Sequence, residues 1–205
     1  MRAEARERRK TAIETAAVEL LLEEGYENMS MLAVARKAKA SNETLYRWYG
    51  DKTGLFAALV DRNAEDIRKA LKNCSGNASS AEQALKTFGR SLLGVLTNPA
   101  AIALNRAAAA DTTGTLGAAL ARSGRNAVLP LVQDLIAQVQ DQGFLADIET
   151  AAAAELYLSL LIGDLQIRLV TRALPQLPET DINARADNAW KAVRLLSNGN
   201  TANAS

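Results

Sequence analysis

Apolar residues recur every three or four positions along nearly the whole chain, and runs of β-branched residues are absent. That period is the α-helical one, in which a turn takes 3.6 residues. Ile13, Ala16, Ala17, Leu20 and Leu21 form the first stripe, over a helix expected from Ala3 to Glu24. Gly25 is placed to end it in a left-handed conformation. Ser30 can cap a short second helix with Met31, Val34, Ala35 and Ala38 inward, and Ser41 or Asn42 a third that runs to Tyr49. Asp51 opens a fourth, expected to end near Asn73. The segment Cys74–Ser79 then reads as a linker, and Ser80 with Gln83 as a capping box. Pro99 suits the first turn of a further helix. Residues 111–124, rich in Thr and Gly, read as a broken piece, and Val128–Val139 as an amphipathic helix ending near Gly143. Two long helices, 147–173 and 180–197, follow around Pro175 and Pro178, and the tail from Asn198 should fray. The expected fold is all-α with about nine helices: a helix-turn-helix domain over 1–52, a connecting helix over 52–73, and a larger helical domain over 78–198.

Composition limits the chemistry. The 205 residues are 48% hydrophobic, enough for a real core. There is no histidine, which removes histidine-activated nucleophiles and most zinc, iron and copper sites. No catalytic or metal-ligating residue, and no cofactor, is expected, so the chain does not read as an enzyme. One cysteine, Cys74, forbids an intrachain disulfide and points to a reducing, cytoplasmic setting. The N-terminus has no apolar signal segment. The most apolar run, Leu156–Val170, carries Asp164, Gln166 and Arg168, which argues against a membrane span.

Net charge is only +1, so charge has to be read locally. Within 36–52, Arg36, Lys37, Lys39, Arg47 and Lys52 face only Glu43 and Asp51. The overlapping stretch ASNETLYRWYGDKTGLF, residues 40–56, holds four of the nine aromatic residues, three of them, Tyr46, Trp48 and Tyr49, within four positions. Two short helices joined by Lys39-Ala40 behind a longer one have the layout of a helix-turn-helix. On a helical wheel, Leu45 and Tyr49 share an inward face, Glu43 and Arg47 the opposite one, with Thr44 and Tyr46 flanking. Arg47 can donate two hydrogen bonds to a guanine edge, Glu43 can accept from cytosine N4, and Thr44 can touch a thymine methyl. Tyr46 and Lys52 suit phosphates. By geometry alone, an ordinary surface helix with a solvated charge pair is the better fit.

The segment Ile13–Phe56 resembles the N-terminal domain of the TetR family of transcriptional regulators. The matching residues are Ile13, Ala16-Ala17, Leu20-Leu21, Gly25-Tyr26, Ser30, Val34-Ala35, Ala38 to Ser41, Thr44-Leu45-Tyr46, Trp48-Tyr49, Lys52 and Leu55. The chain departs from the family pattern at three places. Lys39 stands where the turn usually has glycine, Glu43 replaces a frequent glycine, and Trp48 replaces the usual histidine. The resemblance implies DNA contacts from Ser41, Asn42, Thr44, Tyr46, Arg47, Trp48 and Lys52. Ser30, Lys39 and Glu43 complete the candidate set, with Tyr46 and Trp48 expected along sugars and phosphates.

Residues from Pro99 to Ala173 resemble, more faintly, the AefR-like C-terminal domain. The family implies a homodimer through its last two long helices, double-stranded DNA as partner, and a small-molecule effector of unknown identity. Leu156, Leu160, Gly163, Asp164 and Ile167 give one candidate dimer face; Ala186, Trp190 and Val193 give the other. Asp164 and Arg168, four residues apart in an apolar run, are expected to pair. Candidate pocket residues are Phe88, Leu92, Asn105, Arg106, Gln133 and Tyr157. The resemblance implies a dimeric repressor released from a pseudo-palindromic operator by its ligand. The alternative is a ligand-sensing adaptor whose DNA module has decayed, suggested by Lys39 and Glu43.

Overall fold

A computed structural model describes residues 2–77 and 80–198. Among them every regular element is helical: α1 (Arg2–Asn28), α2 (Met31–Lys37), α3 (Asn42–Tyr49), α4 (Lys52–Asn77), α5 (Ala81–Leu96), α6 (Pro99–Ala110), α7 (Thr115–Leu120), α8 (Asn126–Asp141), α9 (Thr150–Ile162), α10 (Leu165–Val170) and α11 (Glu179–Asn198). Two of these, α7 and α10, are six-residue segments. The other nine match the expected number. A π-helical turn, Ala121–Arg125, precedes α8.

The chain forms two compact units that do not follow sequence order. The first takes Met1–Asn63 and Pro99–Gly124, the second Ala64–Asn98 and Arg125–Ser205. In the first, α6 packs on α1 and α7 on α6. Ala103, Leu104, Leu116 and Ala119 thereby join a core built from Ile13, Leu20, Val34, Leu45, Leu55, Phe56 and their neighbours. Tyr26 meets Phe56 edge-on, with ring centroids 5.6 Å apart. α4 supplies residues to both units, through Asn63 to the first and from Ala64 to the second.

The caps act where the sequence placed them. Ser30, Ser41 and Ser80 each accept from the backbone N–H three residues on, at 3.1, 3.1 and 3.2 Å. Asp51 does the same for Gly54 at 2.8 Å. Gly25 breaks the helical path at φ 79°, ψ 167°, and the chain regains a helical turn before Met29. Asp111 ties down the Thr- and Gly-rich piece: its Oδ2 accepts from the Leu116 N–H at 2.8 Å. That bond, with two from Thr113, holds its carboxyl below the usual aspartate range.

Two expected elements differ. α4 runs through Cys74 to Asn77 without a break there, so the helix covers most of the expected linker; residues 78 and 79 lie outside the described residues. The expected 147–173 helix is divided by Gly163 (φ 50°, ψ −133°) into α9 and α10. The carbonyls freed at the end of α9 are satisfied by Arg185 of α11. Its Nε donates to Leu161 O at 2.6 Å and its Nη2 to Ile162 O at 2.9 Å. Four last-turn carbonyls normally lack a helical partner, and a guanidinium there is also favoured by the helix dipole. At φ 50° the backbone of residue 163 is one that side-chain-bearing residues rarely adopt, so the break needs glycine.

The second unit packs α11 against α9 and α5, and α8 against α5 and α9. Phe88, Leu92, Tyr157, Ala186, Trp190 and Val193 are all buried in it. Tyr157 donates its hydroxyl to Leu85 O at 3.2 Å, and burial pushes its phenol above the usual tyrosine range. Gly89 permits this approach of α5 to α9: a Cβ there would clash with the Tyr157 hydroxyl and stand 3.6 Å from Ala186 Cβ.

Gly89→Ala therefore sets a clash against a gain in helix propensity of up to about 1 kcal/mol. In the wild-type background the clash dominates, with a net loss of roughly 1–3 kcal/mol, as in other overpacked cores. In a Tyr157→Phe background the same change is neutral or stabilising. Urea unfolding of the four proteins in this cycle measures the coupling; additive effects would refute the close packing described.

Candidate nucleic-acid interface

α3 is held by one face and offers the other. Leu45 has no exposed surface and packs in the first unit's core. Tyr49, half-buried, donates its hydroxyl to Glu14 Oε1 on α1 at 3.4 Å. Glu14 is itself buried, with Lys10 Nζ at 3.7 Å and Arg62 Nη1 at 3.9 Å. Burial raises its carboxyl above the usual glutamate range despite these cations. The C-terminal end of α3 is thus fastened to α1, and the same carboxylate reaches α4 through Arg62.

Glu43, Tyr46 and Arg47 are exposed on the outward side, and Tyr46 retains 50% of its surface. Among the described residues, none of the three forms a side-chain hydrogen bond or ion pair within the chain. Ser41 and Thr44 share a hydroxyl–hydroxyl hydrogen bond of 2.8 Å at the start of α3, and Asn42 beside them is exposed. These residues form one polar end and one polar stripe of a rigid eight-residue rod. The stripe combines a five-donor fork, an acceptor carboxylate and hydroxyls, the groups that read base edges and hold phosphates.

Other candidates are more engaged. Ser30 is exposed, but its hydroxyl is the α2 cap. Lys52 donates to Glu27 O at 3.1 Å and lies 4.2 Å from the Tyr26 ring centroid, so it braces the end of α1. Trp48 is half-buried against the core, with the Arg6 guanidinium 5.7 Å from its ring centroid. Lys39 sits in the turn between α2 and α3 at φ 50°, the left-handed region that glycine would enter without strain. Its side chain is exposed, while its carbonyl accepts from Arg9 Nη1 at 3.0 Å. Arg6 and Arg9 were not among the sequence candidates. The signal was the spacing of arginines ahead of Ile13.

The pocket candidates are drawn from both units. Phe88, Leu92 and Tyr157 fill the second unit's core, where apolar bulk excludes solvent from all three. Gln133 is half-buried in that unit. Asn105 and Arg106 belong to the first, and Asn105 bonds its own helix at Ala101 O, 2.8 Å away. Of the dimer candidates, Ala186, Trp190 and Val193 are buried within their own chain. Trp190 also donates to Glu82 Oε1 at 2.9 Å and meets Phe144 edge-on at 6.2 Å. The outward side of α11 instead joins Leu160 of α9. Leu160, Asp181, Ala184, Arg185, Asn188, Ala189 and Ala192 line an open groove of about 480 Å³. Leu156 is half-buried, Gly163 exposed, and Ile167 59% exposed. Asp164 and Arg168 pair at 3.7 Å, but in solvent, because the break at Gly163 turns them out of the apolar run.

A short polar helix anchored by one apolar face behind a tight turn defines a helix-turn-helix module. The comparisons with known proteins agree. Residues 13–59 match the model of bacterial regulatory proteins of the tetR family, and residues 83–194 match that of the AefR-like transcriptional repressor C-terminal domain. The chain belongs to the TetR family. Its fold and family are those of DNA-binding transcriptional regulators, not of enzymes.

Among solved structures, it is similar to a TetR-family regulator from Mesorhizobium loti, with a TM-score of 0.77 and 23% identity over 92% of this chain and 96% of that one. A TetR regulator from Agrobacterium tumefaciens gives 0.72 and 27% over 92% and 93%. The flavonoid-responsive regulator FrrA gives 0.63 and 26% over 91% and 95%. No curated protein sequence matches. No helix among the described residues is long and apolar enough to cross a membrane.

Replacing Lys39 by glycine removes a strained left-handed lysine. The expected result is a gain of about 1 kcal/mol, the cost of one non-glycine residue in that region less the added unfolded-state freedom of glycine. Thermal and urea unfolding of Lys39→Gly check it; a loss of stability would mean that the Lys39 side chain itself stabilises the turn.

Proposed function

We propose that the protein is a homodimeric repressor that binds a pseudo-palindromic operator and leaves it when a small molecule binds. The observation that carries this reading is the outward stripe of α3, with Glu43 and Arg47 exposed while Leu45 anchors the opposite face. Arg47 is the base-reading donor, Glu43 selects against a wrong base at its position, and Ser41, Asn42, Thr44 and Tyr46 orient the helix on sugars and phosphates. Ser30, Lys39, Trp48 and Lys52 support the edges of that surface. The larger helical domain over 78–198 takes the effector and the partner subunit. A reducing, cytoplasmic setting suits such a regulator.

A two-fold dimer fits a palindrome whose half-sites lie about one helical turn, ~34–36 Å, apart. The α9–α11 groove supports one. It is lined by Leu160 and by alanines that let a second pair of helices come close. Replacing Ala184 by arginine puts a charge into this face without touching the core. Light scattering should then fall from about twice the 21.9 kDa chain mass to the monomer, with the helical spectrum unchanged. A persistent dimer would move the interface elsewhere.

The effector is hydrophobic or amphipathic, a class to which the flavonoids of FrrA belong. It can act only by preferring the conformation that does not fit DNA. Gel shifts with the DNA upstream of its own gene, across salt and with flavones added, test the reading. Wild type should bind with a steep salt slope. Arg47→Ala should lose about 1–3 kcal/mol and relax specificity at one base pair. Absence of binding at low salt would favour an adaptor with a decayed module.

A further inference from the structure

α1 begins well before the module it supports. The family match starts at Ile13, whereas α1 starts at Arg2, about three turns earlier. At roughly 100° per residue, Arg6 and Arg9 fall on the same arc as Ile13, Ala17 and Leu20. Glu4, Glu7, Arg8 and Thr11 fall on the opposite arc, where they line a shallow depression of their own. The stripe that faces the core from Ile13 onward is therefore continued toward the N-terminus by guanidinium groups.

Both guanidinium groups reach α3 or the turn before it. Arg6 stacks over Trp48 at the C-terminal end of α3, and Arg9 donates to the Lys39 carbonyl in the turn that precedes it. Both side chains are exposed, and among the described residues neither has a carboxylate partner. A guanidinium has five donors, so one bond to Lys39 leaves Arg9 with others to give. The two arginines therefore add positive charge at both ends of α3, Arg6 beside Trp48 and Arg9 beside the exposed Lys39. A polyanion is the partner that this arrangement fits.

We propose that Arg6 and Arg9 contact DNA phosphates flanking the bases that α3 faces, so that the first turns of α1 widen the footprint of the module. This rests on the reading that α3 enters the groove. Neither residue would read sequence; both would add affinity and hold the register of α3.

Fluorescence anisotropy with a labelled mixed-sequence duplex tests it over a salt series, because such binding is electrostatic and needs no known operator. The slope of log K against log salt should become shallower by roughly 1 for each phosphate no longer neutralised, hence by about 2 in Arg6→Gln/Arg9→Gln. Arg6→Lys/Arg9→Lys should keep most of the wild-type slope. Arg9→Gln alone leaves the Arg6–Trp48 stack intact and should lower the slope by about 1, which guards against a fold defect in the double variant. An unchanged slope in folded glutamine variants overturns the inference and leaves the two arginines as packing for Trp48 and the turn. If wild type binds no duplex at low salt, the parent reading of α3 fails and carries this one with it.

Discussion

Leu45 sits without exposed surface among Val34, Leu55 and Phe56, and the orientation of α3 follows from that burial. A helix of eight residues is too short to be stable by itself in water. It persists because one face is taken up by a core that other helices have already made. Once Leu45 is fixed, the 3.6-residue period dictates that Glu43 and Arg47 point outward. Base-reading geometry in this module is thus a by-product of apolar packing, with Tyr49 and Glu14 adding a polar fastening at the C-terminal end.

The charges around that helix divide by role. Glu14 lies buried among Lys10, Arg62 and Tyr49 and works inside the unit. Lys52 is engaged by Glu27 O and the Tyr26 ring. Arg47, Lys39, Arg6 and Arg9 remain exposed at the surface. A net charge of +1 hides this division, since it sums 24 cations and 23 acids over the whole chain.

Local physics was legible in the sequence, and non-local packing was not. Ser30, Ser41, Asp51 and Ser80 announced helix starts because a cap needs only the next few residues. The left-handed Lys39 was legible because it occupies a position that a family pattern gives to glycine. The helix break at Gly163 was missed because nothing nearby distinguishes that glycine; its partner, Arg185, lies on another helix. The stripe of Ala186, Trp190 and Val193 was visible as apolar, but periodicity does not say whether a stripe faces its own chain or a second copy. The same limit applies to Phe88, Leu92 and Tyr157, which are buried in the second unit, and to the groove beside Leu160, whose alanines carry little signal.

The return of α6 and α7 to α1 has a consequence for how the protein is made. Ala103, Leu104, Leu116 and Ala119 belong to the same hydrophobic core as Ile13 and Phe56. While the ribosome is still translating the segment between them, the amino-terminal helices are out of the tunnel with one wall of their core absent. That unit can close only when the chain has grown past residue 120, after a stretch destined for the other unit has already emerged. During that interval the nascent polypeptide exposes apolar surface that a chaperone would have to shield.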